Sequence, residues 1–251
     1  MKKLLSLALI ALLCNLATYA QQKIDFKLNP EKGKIIPYKI LIKSDIEGPQ
    51  SIIMEMDFDM DMSVVDVQDT SIILAAKYNK MISNIDAGVA VISFDSSKEP
   101  TNEMEKMMAA QLKGILENTL TMKMNRYGKV ISMDFPNVNE QLFDKSSMEG
   151  LAVAYPNKPL AIGDSWEDEK TLSQIGVKTK IKYTLAEKTT EGYKISADAN
   201  IIDQTGKNIG TSTGYSIVDT KTFMNTYSIG DVTMDFQGAK INTKVEMKLA
   251  K

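Results

Sequence analysis

The sequence predicts an α+β protein that is mainly antiparallel β: a curved sheet, half-barrel or barrel-like, of roughly eleven strands wrapped on one amphipathic helix. Three observations carry this. From Ser51 to Val67, Met54, Met56, Phe58, Met60, Met62 and Val64 alternate with Glu55, Asp57, Asp59, Asp61 and Ser63. A period of two puts the thioethers and the ring on one strand face and the carboxylates on the other. The same alternation recurs along most of the chain, whereas only the stretch after Asn102 shows three-and-four spacing. Finally, strands spaced by about 4.8 Å would make a flat sheet about 50 Å wide, and one helix shelters a band of only about 10 to 12 Å. The sheet must therefore curl around the helix or split into two packed layers.

The chain opens with Lys2 and Lys3, an apolar run from Leu4 to Leu16, and Thr18-Tyr19-Ala20 before Gln21. This is the pattern of a secretory signal peptide with cleavage after Ala20, too short for a membrane anchor. Lipoprotein processing at Cys14 fits less well, because Leu12-Leu13 stand where small residues are required. Residues 1–20 are therefore set apart from a single β-rich domain over 21–251, with a periplasmic or secreted destination. Cys14 is the sole cysteine and histidine is absent. The mature chain accordingly has neither disulfides nor the nitrogen and sulfur ligands of structural zinc, and its stability must come from burial. The net charge is −2 and the single arginine is Arg126. Nucleic acid is thus not an expected partner. No apolar run after the leader is long enough to span a bilayer, and no cofactor is expected.

Taken in order, Lys23 to Leu28 alternates and is expected to form a strand, ending at Asn29-Pro30 and Gly33. Tyr38, Ile40 and Ile42 share a face opposite Lys39 and Lys43, and Glu47-Gly48-Pro49-Gln50 turns the chain onto the methionine strand. Pairing residues that sum to about 98 sets Ile42 against Met56, Ile40 against Phe58, and Lys43 and Lys39 against Glu55 and Asp59. The alternation slips at Val64-Val65, where a bulge is expected. Strands follow over Ser71 to Ser83 and Val89 to Phe94. From Asn102, Met104, Met107, Met108, Leu112, Ile115 and Leu116 form a helical stripe, with Asn102 and Glu105 spaced as a capping box. Leu120, Met122 and Met124 resume alternation, and Arg126 to Lys129 turns into Val130 to Phe135. A short helix around Leu142 and Phe143 and an exposed connector at Pro156 to Pro159 precede Gly163-Asp164-Ser165-Trp166. Clear strands are Val177 to Leu185, Tyr193 to Asn200, Phe223 to Phe236 with a phase slip near Asp231-Val232, and Ile241 to Leu249; weaker ones are Trp166 to Leu172 and Ile209 to Val218. The strand and turn order of 21–150 is echoed in 151–251, a faint sign of duplication.

The leader, the Met-rich strand, Ser93-Phe94-Asp95-Ser96-Ser97 before a helix, and Gly163-Asp164-Ser165-Trp166 after a proline-rich connector together resemble a family of secreted Bacteroidetes proteins of unknown function. That resemblance implies no catalytic residues. The order of strands and helix more distantly resembles the LolA-like periplasmic lipoprotein carriers. It implies a half-barrel closing over an apolar cavity, on architecture alone.

Met54, Met56, Met60, Met62, Met104, Met107, Met108, Met122 and Met124 all fall on expected inward faces, in a chain with 16 methionines. They can fill a core, line an adaptable apolar cavity, or offer soft ligands to Cu(I). Copper is the weakest of these, because alternating residues on one strand are spread out rather than convergent. Asp57, Asp59 and Asp61 have the spacing of a calcium loop's start, but Met62 stands where its glycine belongs. They are expected to be a solvated face balanced by lysines, and Lys178, Lys180 and Lys182 form a basic ladder whose partner is open. Trp166 is expected to seal a core edge. Paired carboxylates could support glycoside hydrolysis, but these acids sit on exposed faces, and catalysis is not expected. The leading expectation is a lipid or other apolar ligand bound by Met54, Met56, Phe58, Met60, Met62, Met107, Met108, Met122 and Met124. The competing one is a non-enzymatic envelope structural or protein-interaction module with a solid core.

Overall fold

The computed structural model describes residues 23–138, 153–172 and 175–250. The expected helix around Leu142 lies outside them. Twelve strands form one antiparallel sheet: β1 (Ile35–Glu47), β2 (Ile52–Val67), β3 (Ser71–Asp86), β4 (Val91–Asp95), β5 (Leu120–Asn125), β6 (Val130–Asp134), β7 (Ser165–Leu172), β8 (Val177–Lys188), β9 (Tyr193–Ile202), β10 (Asn208–Val218), β11 (Asn225–Phe236) and β12 (Ala239–Leu249). The order is β6-β5-β3-β2-β1-β12-β11-β10-β9-β8-β7, with β4 on the far end of β3. Among the described residues one helix, α1 (Glu103–Glu117), lies between β4 and β5.

The expected register of β1 and β2 is the observed one: Ile42 faces Met56, Ile40 faces Phe58, Lys43 faces Glu55 and Lys39 faces Asp59. Lys43 Nζ lies 2.6 Å from Glu55 and Lys39 Nζ 3.3 Å from Asp59, so the acidic row is matched by lysines on the outer face. The ladder of Lys180 and Lys182 stands opposite Glu169 and Glu167 of β7, on the other arm of the sheet from those aspartates. Between β2 and β3 the register breaks at Val64/Asp66, leaving Val65 as the bulged residue. Val64 stays in phase with the methionines and is buried, and the bulge brings Val67 back to the inner side against the core.

Two expectations need correction. The phase slip placed at Asp231-Val232 is absent, because β11 pairs with β12 without interruption from Tyr227 to Phe236. The break lies instead at Ile217/Val218 opposite Asn225 and Tyr227, which leaves Thr226 as the extra residue. Ser228 and Gly230 occupy inward positions there, so the apolar Tyr227 and Ile229 mark the outer face and mimic a slip further along. The second correction concerns Lys23 to Leu28. Its alternation is right for burial, with Phe26 and Leu28 buried, but it makes only one isolated bridge, Ile24 to Leu160.

Helix α1 begins as expected. Asn102 Oδ1 accepts from Glu105 N–H at 2.9 Å, and the Glu105 carboxylate accepts from Thr101 N–H at 2.6 Å. At its other end Lys77 Nζ donates to the Leu116 carbonyl, placing a cation at the negative end of the dipole. Leu112, Ile115 and Leu116 pack on Tyr38, Ile40, Met60, Tyr78 and Phe135. Upstream, Asp95 ends β4 by accepting from Ser97 N–H at 3.0 Å and Ser97 Oγ at 2.6 Å.

The segment of residues 23–29 straps the two arms of the sheet together. Leu28 N–H donates to the Arg126 carbonyl in the β5–β6 turn, and the next residue, Asn29, donates to the Thr222 carbonyl in the β10–β11 turn. Arg126 answers with Nε to the Leu28 carbonyl at 2.7 Å, Nη1 to the Gln68 carbonyl at 2.9 Å and Nη2 to Asn29 Oδ1 at 3.2 Å. Phe26 sits at the centre of this strap, with ring centroids 5.1 Å from Tyr155, 5.4 Å from Tyr193 and 5.2 Å from Phe223. Trp166 continues the aromatic run onto Tyr183 at 5.4 Å and donates its indole N–H to the Ala154 carbonyl. Since residues of β5 and of β7 to β9 share this cluster, the sheet is curved, while β6 and β7 remain its edges.

Two predictions follow from these anchors. Replacing Arg126→Ala removes a charged donor from partly buried carbonyls and is expected to cost about 2 kcal/mol in urea unfolding, with Arg126→Lys recovering only part of it. The Ser97 hydroxyl and backbone hold the Asp95 carboxyl down to about 2. A depressed folded-state value adds stability above the ordinary carboxylate range and loses it as pH falls through about 2. Asp95→Asn should therefore unfold more easily than the parent at neutral pH, and the gap should close as unfolding is measured at successive pH values from 5 down to 2.

Candidate functional site

Inward residues of the sheet gather in two clusters. One surrounds Phe26 and the aromatic strap; the other lies under α1 around Tyr38, Met60 and Tyr78. Between them lies a cavity of about 110 Å³. β1 supplies Tyr38 and Ile40, β2 Met60 and Met62, β3 Leu74 and Ala76, β5 Leu120, Met122 and Met124, and β12 Met247. The strap adds Leu28, the β10–β11 turn Phe223 and Met224, and β11 its first residue, Asn225. Gly128, Val153 and Tyr155 close the remaining side.

Local sequence explains these placements. The register break at Asp59/Met60 leaves Asn79 of β3 unpaired, so Tyr78 and Met81 both face inward beside Met60 and Phe58. Gly128 turns with φ of 80°, and a Cβ there would stand 2.4 Å from the Val153 carbonyl oxygen. Only glycine lets the connector approach the turn so closely. The bulge at Thr226 sets Asn225 opposite the fully buried Val218 and so on the inner side.

Among the described residues none of the lining side chains is charged, and the polar ones are Tyr38, Tyr155 and Asn225. Tyr38 Oη donates to the Asn225 carbonyl at 2.6 Å, and Asn225 Oδ1 is buried without a hydrogen bond. Burial pushes the Tyr38 and Tyr155 hydroxyls well above the ordinary phenol range, so both stay neutral. Among the described residues no group of three or more histidine, cysteine, aspartate or glutamate side chains could hold a metal ion.

Of the expected ligand-binding residues, Met60, Met62, Met122 and Met124 line the cavity. Met54, Met56, Phe58, Met107 and Met108 do not. Met54 and Met56 share the face of Met60 but lie further along β2, half-buried, opposite Ser44 and Ile42. Phe58 belongs to the cluster under α1, 5.9 Å from the Tyr78 ring. Met104 and Met107 are 42% and 56% exposed, because α1 buries its carboxy-terminal half and leaves the first turns outward. Tyr38 and Met247 were legible in strand alternation; Met224 lies in the β10–β11 turn and Asn225 begins β11 just before its bulge, where no period marks them. Trp166 seals the core edge as expected, behind a turn in which Asp164 Oδ2 caps Ala161 N–H at 2.8 Å.

The profile of the family of unknown function DUF6263 matches residues 69–144 and 136–247, more than half of the chain. The chain belongs to that family. No curated protein matches it. Among solved structures it is similar to one of lipovitellin, described as showing lipid–protein interactions, with TM-score 0.59 and 8% identity over 88% of this chain and 25% of that one. This chain thus spans about a quarter of that protein, and at such identity the likeness shows the fold alone. A putative outer membrane lipoprotein-sorting protein domain from Vibrio parahaemolyticus matches with 5% identity over 86% of both chains and TM-score 0.25. A DUF1329 family protein from Desulfovibrio piger matches with 10% identity over 85% of both chains and TM-score 0.21.

Met60 is 3% exposed and touches both the cavity and the cluster under α1. Met60→Ala is expected to cost about 2 to 5 kcal/mol in urea unfolding. Saturation with a small apolar guest such as benzene should restore part of that loss, since the enlarged space is apolar.

Proposed function

We propose that this protein is exported by the leader in residues 1–20 and binds a lipid or similar apolar ligand on the inner face of its curved sheet. The observation that carries this reading is a cavity lined by six methionines and, among the described residues, by no charged side chain. Methionine surfaces repack around varied shapes, so such a wall adapts to a flexible chain. The cavity's 110 Å³ is smaller than the roughly 300 to 1,000 Å³ of drug-sized sites. It therefore takes one end of the ligand. The same strand face continues past Ile40 and Met247 to the half-buried Ile42, Met56 and Val245, a trough in which the rest of a chain lies. A fold shared with lipovitellin, whose solved structure concerns lipid–protein interactions, supports this reading. The solid-core alternative is less favoured, because a module acting only through its surface gains nothing from keeping this volume empty.

Native mass spectrometry of protein purified without detergent should show copurified lipid or uptake of an added single-chain lipid. Met122→Trp, which fills the cavity from β5, should abolish uptake while leaving the circular dichroism spectrum of the sheet unchanged. A parent protein that neither carries nor takes up any apolar chain would overturn the reading.

A further inference from the structure

The outer face of the sheet breaks its own pattern at one end. Lys43 and Glu55 stand in the charged outer row. Two residues from Glu55 the same face carries Ile53 opposite Asp86, with Val91 on the other side of that aspartate. Ile53 is 53% exposed, and Val91 at 70% and Val89 at 87% are the most exposed large apolar side chains among the described residues. The inner face of these strands is apolar too: Met54, Ile85 and Ile92 share one row, and Ile241, Ile46 and Ile52 the next. A sheet with one core needs one apolar face. The β3–β4 hairpin ends apolar on both, in a stretch from Ala87 to Ser93 that carries no charge.

Polar groups of this tip are partnered within the protein. Ala87 N–H donates to the Ala90 carbonyl at 3.0 Å, the Ala87 carbonyl accepts from Gln50 Nε2 of the β1–β2 turn at 3.2 Å, and Asp86 Oδ1 accepts from Gly88 N–H at 2.8 Å. Backbone groups satisfied in this way can leave water at low cost. Two valines and an isoleucine fall far short of the roughly 800 Å² per partner that a stable protein interface buries. They suit a shallow insertion among lipid headgroups. The trough runs out at this same end, away from the strap, because the β1–β2, β3–β4 and β11–β12 turns lie together there. Glu47 and Asp235 stand opposite Lys240, and with Asp86 they leave the rim acidic.

We propose that the tip of the β3–β4 hairpin, with Ile53 beside it, inserts into the surface of a membrane of net-neutral lipid and presents the open end of the trough to that surface. The acidic rim holds the insertion at headgroup depth and gives anionic lipid no advantage. This inference rests on the apolar-ligand reading above for the use of the contact, since it names the surface from which the ligand is collected or to which it is delivered.

The test is flotation of the full mature protein with phosphatidylcholine vesicles. The protein should rise with them, with no gain when phosphatidylglycerol is added and no loss as salt is raised from about 0.1 to 1 M. Val89→Asp combined with Val91→Asp should lower the bound fraction at least about tenfold and slow transfer of a single-chain lipid out of the vesicles to a similar degree. The same variant should keep its circular dichroism spectrum and its uptake of monomeric single-chain lipid from solution. Val89→Ile with Val91→Ile should keep vesicle binding. A parent that does not float, binding that survives the aspartates, or binding that needs phosphatidylglycerol and is lost in salt would overturn the docking and leave the apolar-ligand reading intact. So would self-association of the parent in sedimentation velocity that the aspartates abolish, because a second copy would then be the occupant of the tip. A parent that floats as expected and takes up no single-chain lipid would instead support the docking and remove the ligand reading.

Discussion

Two consecutive main-chain hydrogen bonds hold the architecture in shape. Leu28 is tied to the β5–β6 turn and Asn29 to the β10–β11 turn, so one short segment grips both arms of the sheet at once. Adjacent residues are only 3.8 Å apart, which brings turns from opposite arms to within the width of a strap. Phe26 then fixes the junction from inside, fully buried among Tyr155, Tyr193 and Phe223, a burial worth about 1.5 to 3 kcal/mol. Without this strap, the apolar face that α1 does not cover would open to water. With it, the sheet bends and acquires an interior.

The interior is lined but not filled because its two covers meet imperfectly. The strap and its aromatic run cover the face from one end, and the carboxy-terminal half of α1 covers it over β1 to β3. Where the two clusters meet, long unbranched methionines stand in for the shape-matched aliphatic side chains of a rigid core, and a cavity is left. Stability and cavity thus share residues. Met60 belongs to the cluster under α1 and to the cavity wall together, so the volume cannot be closed without repacking the helix that defines it.

Much of the local structure was legible in the sequence because it depends on periods and caps. The β1–β2 register, the bulge at Val65 and the Asn102 cap are each decided by residues within one hairpin or one turn. What could not be read depends on the curl. Alternation assigns Met54, Met56 and Met60 to one face, but only the position of the covering elements decides that Met60 is buried and the other two are half-buried. The helical stripe likewise ran the length of α1, although only its second half meets the sheet. Lys23 to Leu28 has the sequence of a strand and acts as a strap, since its partners are the turns of distant arms. Asn225 gives no signal at all, being the first residue of β11, set on the inner side by a one-residue bulge.

The sheet stops short of a barrel, and its edge strand shows why. Trp166 of β7 faces inward opposite Tyr183, so by the period of two Asp168 and Lys170 belong to the same inner row, opposite Ile181 and Thr179. Inward-pointing charges on an edge strand oppose the addition of a further strand, because closure would desolvate them. The outer row of β7 is equally polar, with Glu167 and Glu169 opposite Lys182 and Lys180. Meanwhile the bend in the second arm is eased by Gly210 and Gly214 of β10, where a Cβ would stand 2.4 Å and 2.3 Å from carbonyl oxygens of β11. Glycines that permit curvature, set beside an edge whose charges resist closure, leave a sheet that bends far enough to enclose apolar volume and remains open along one side.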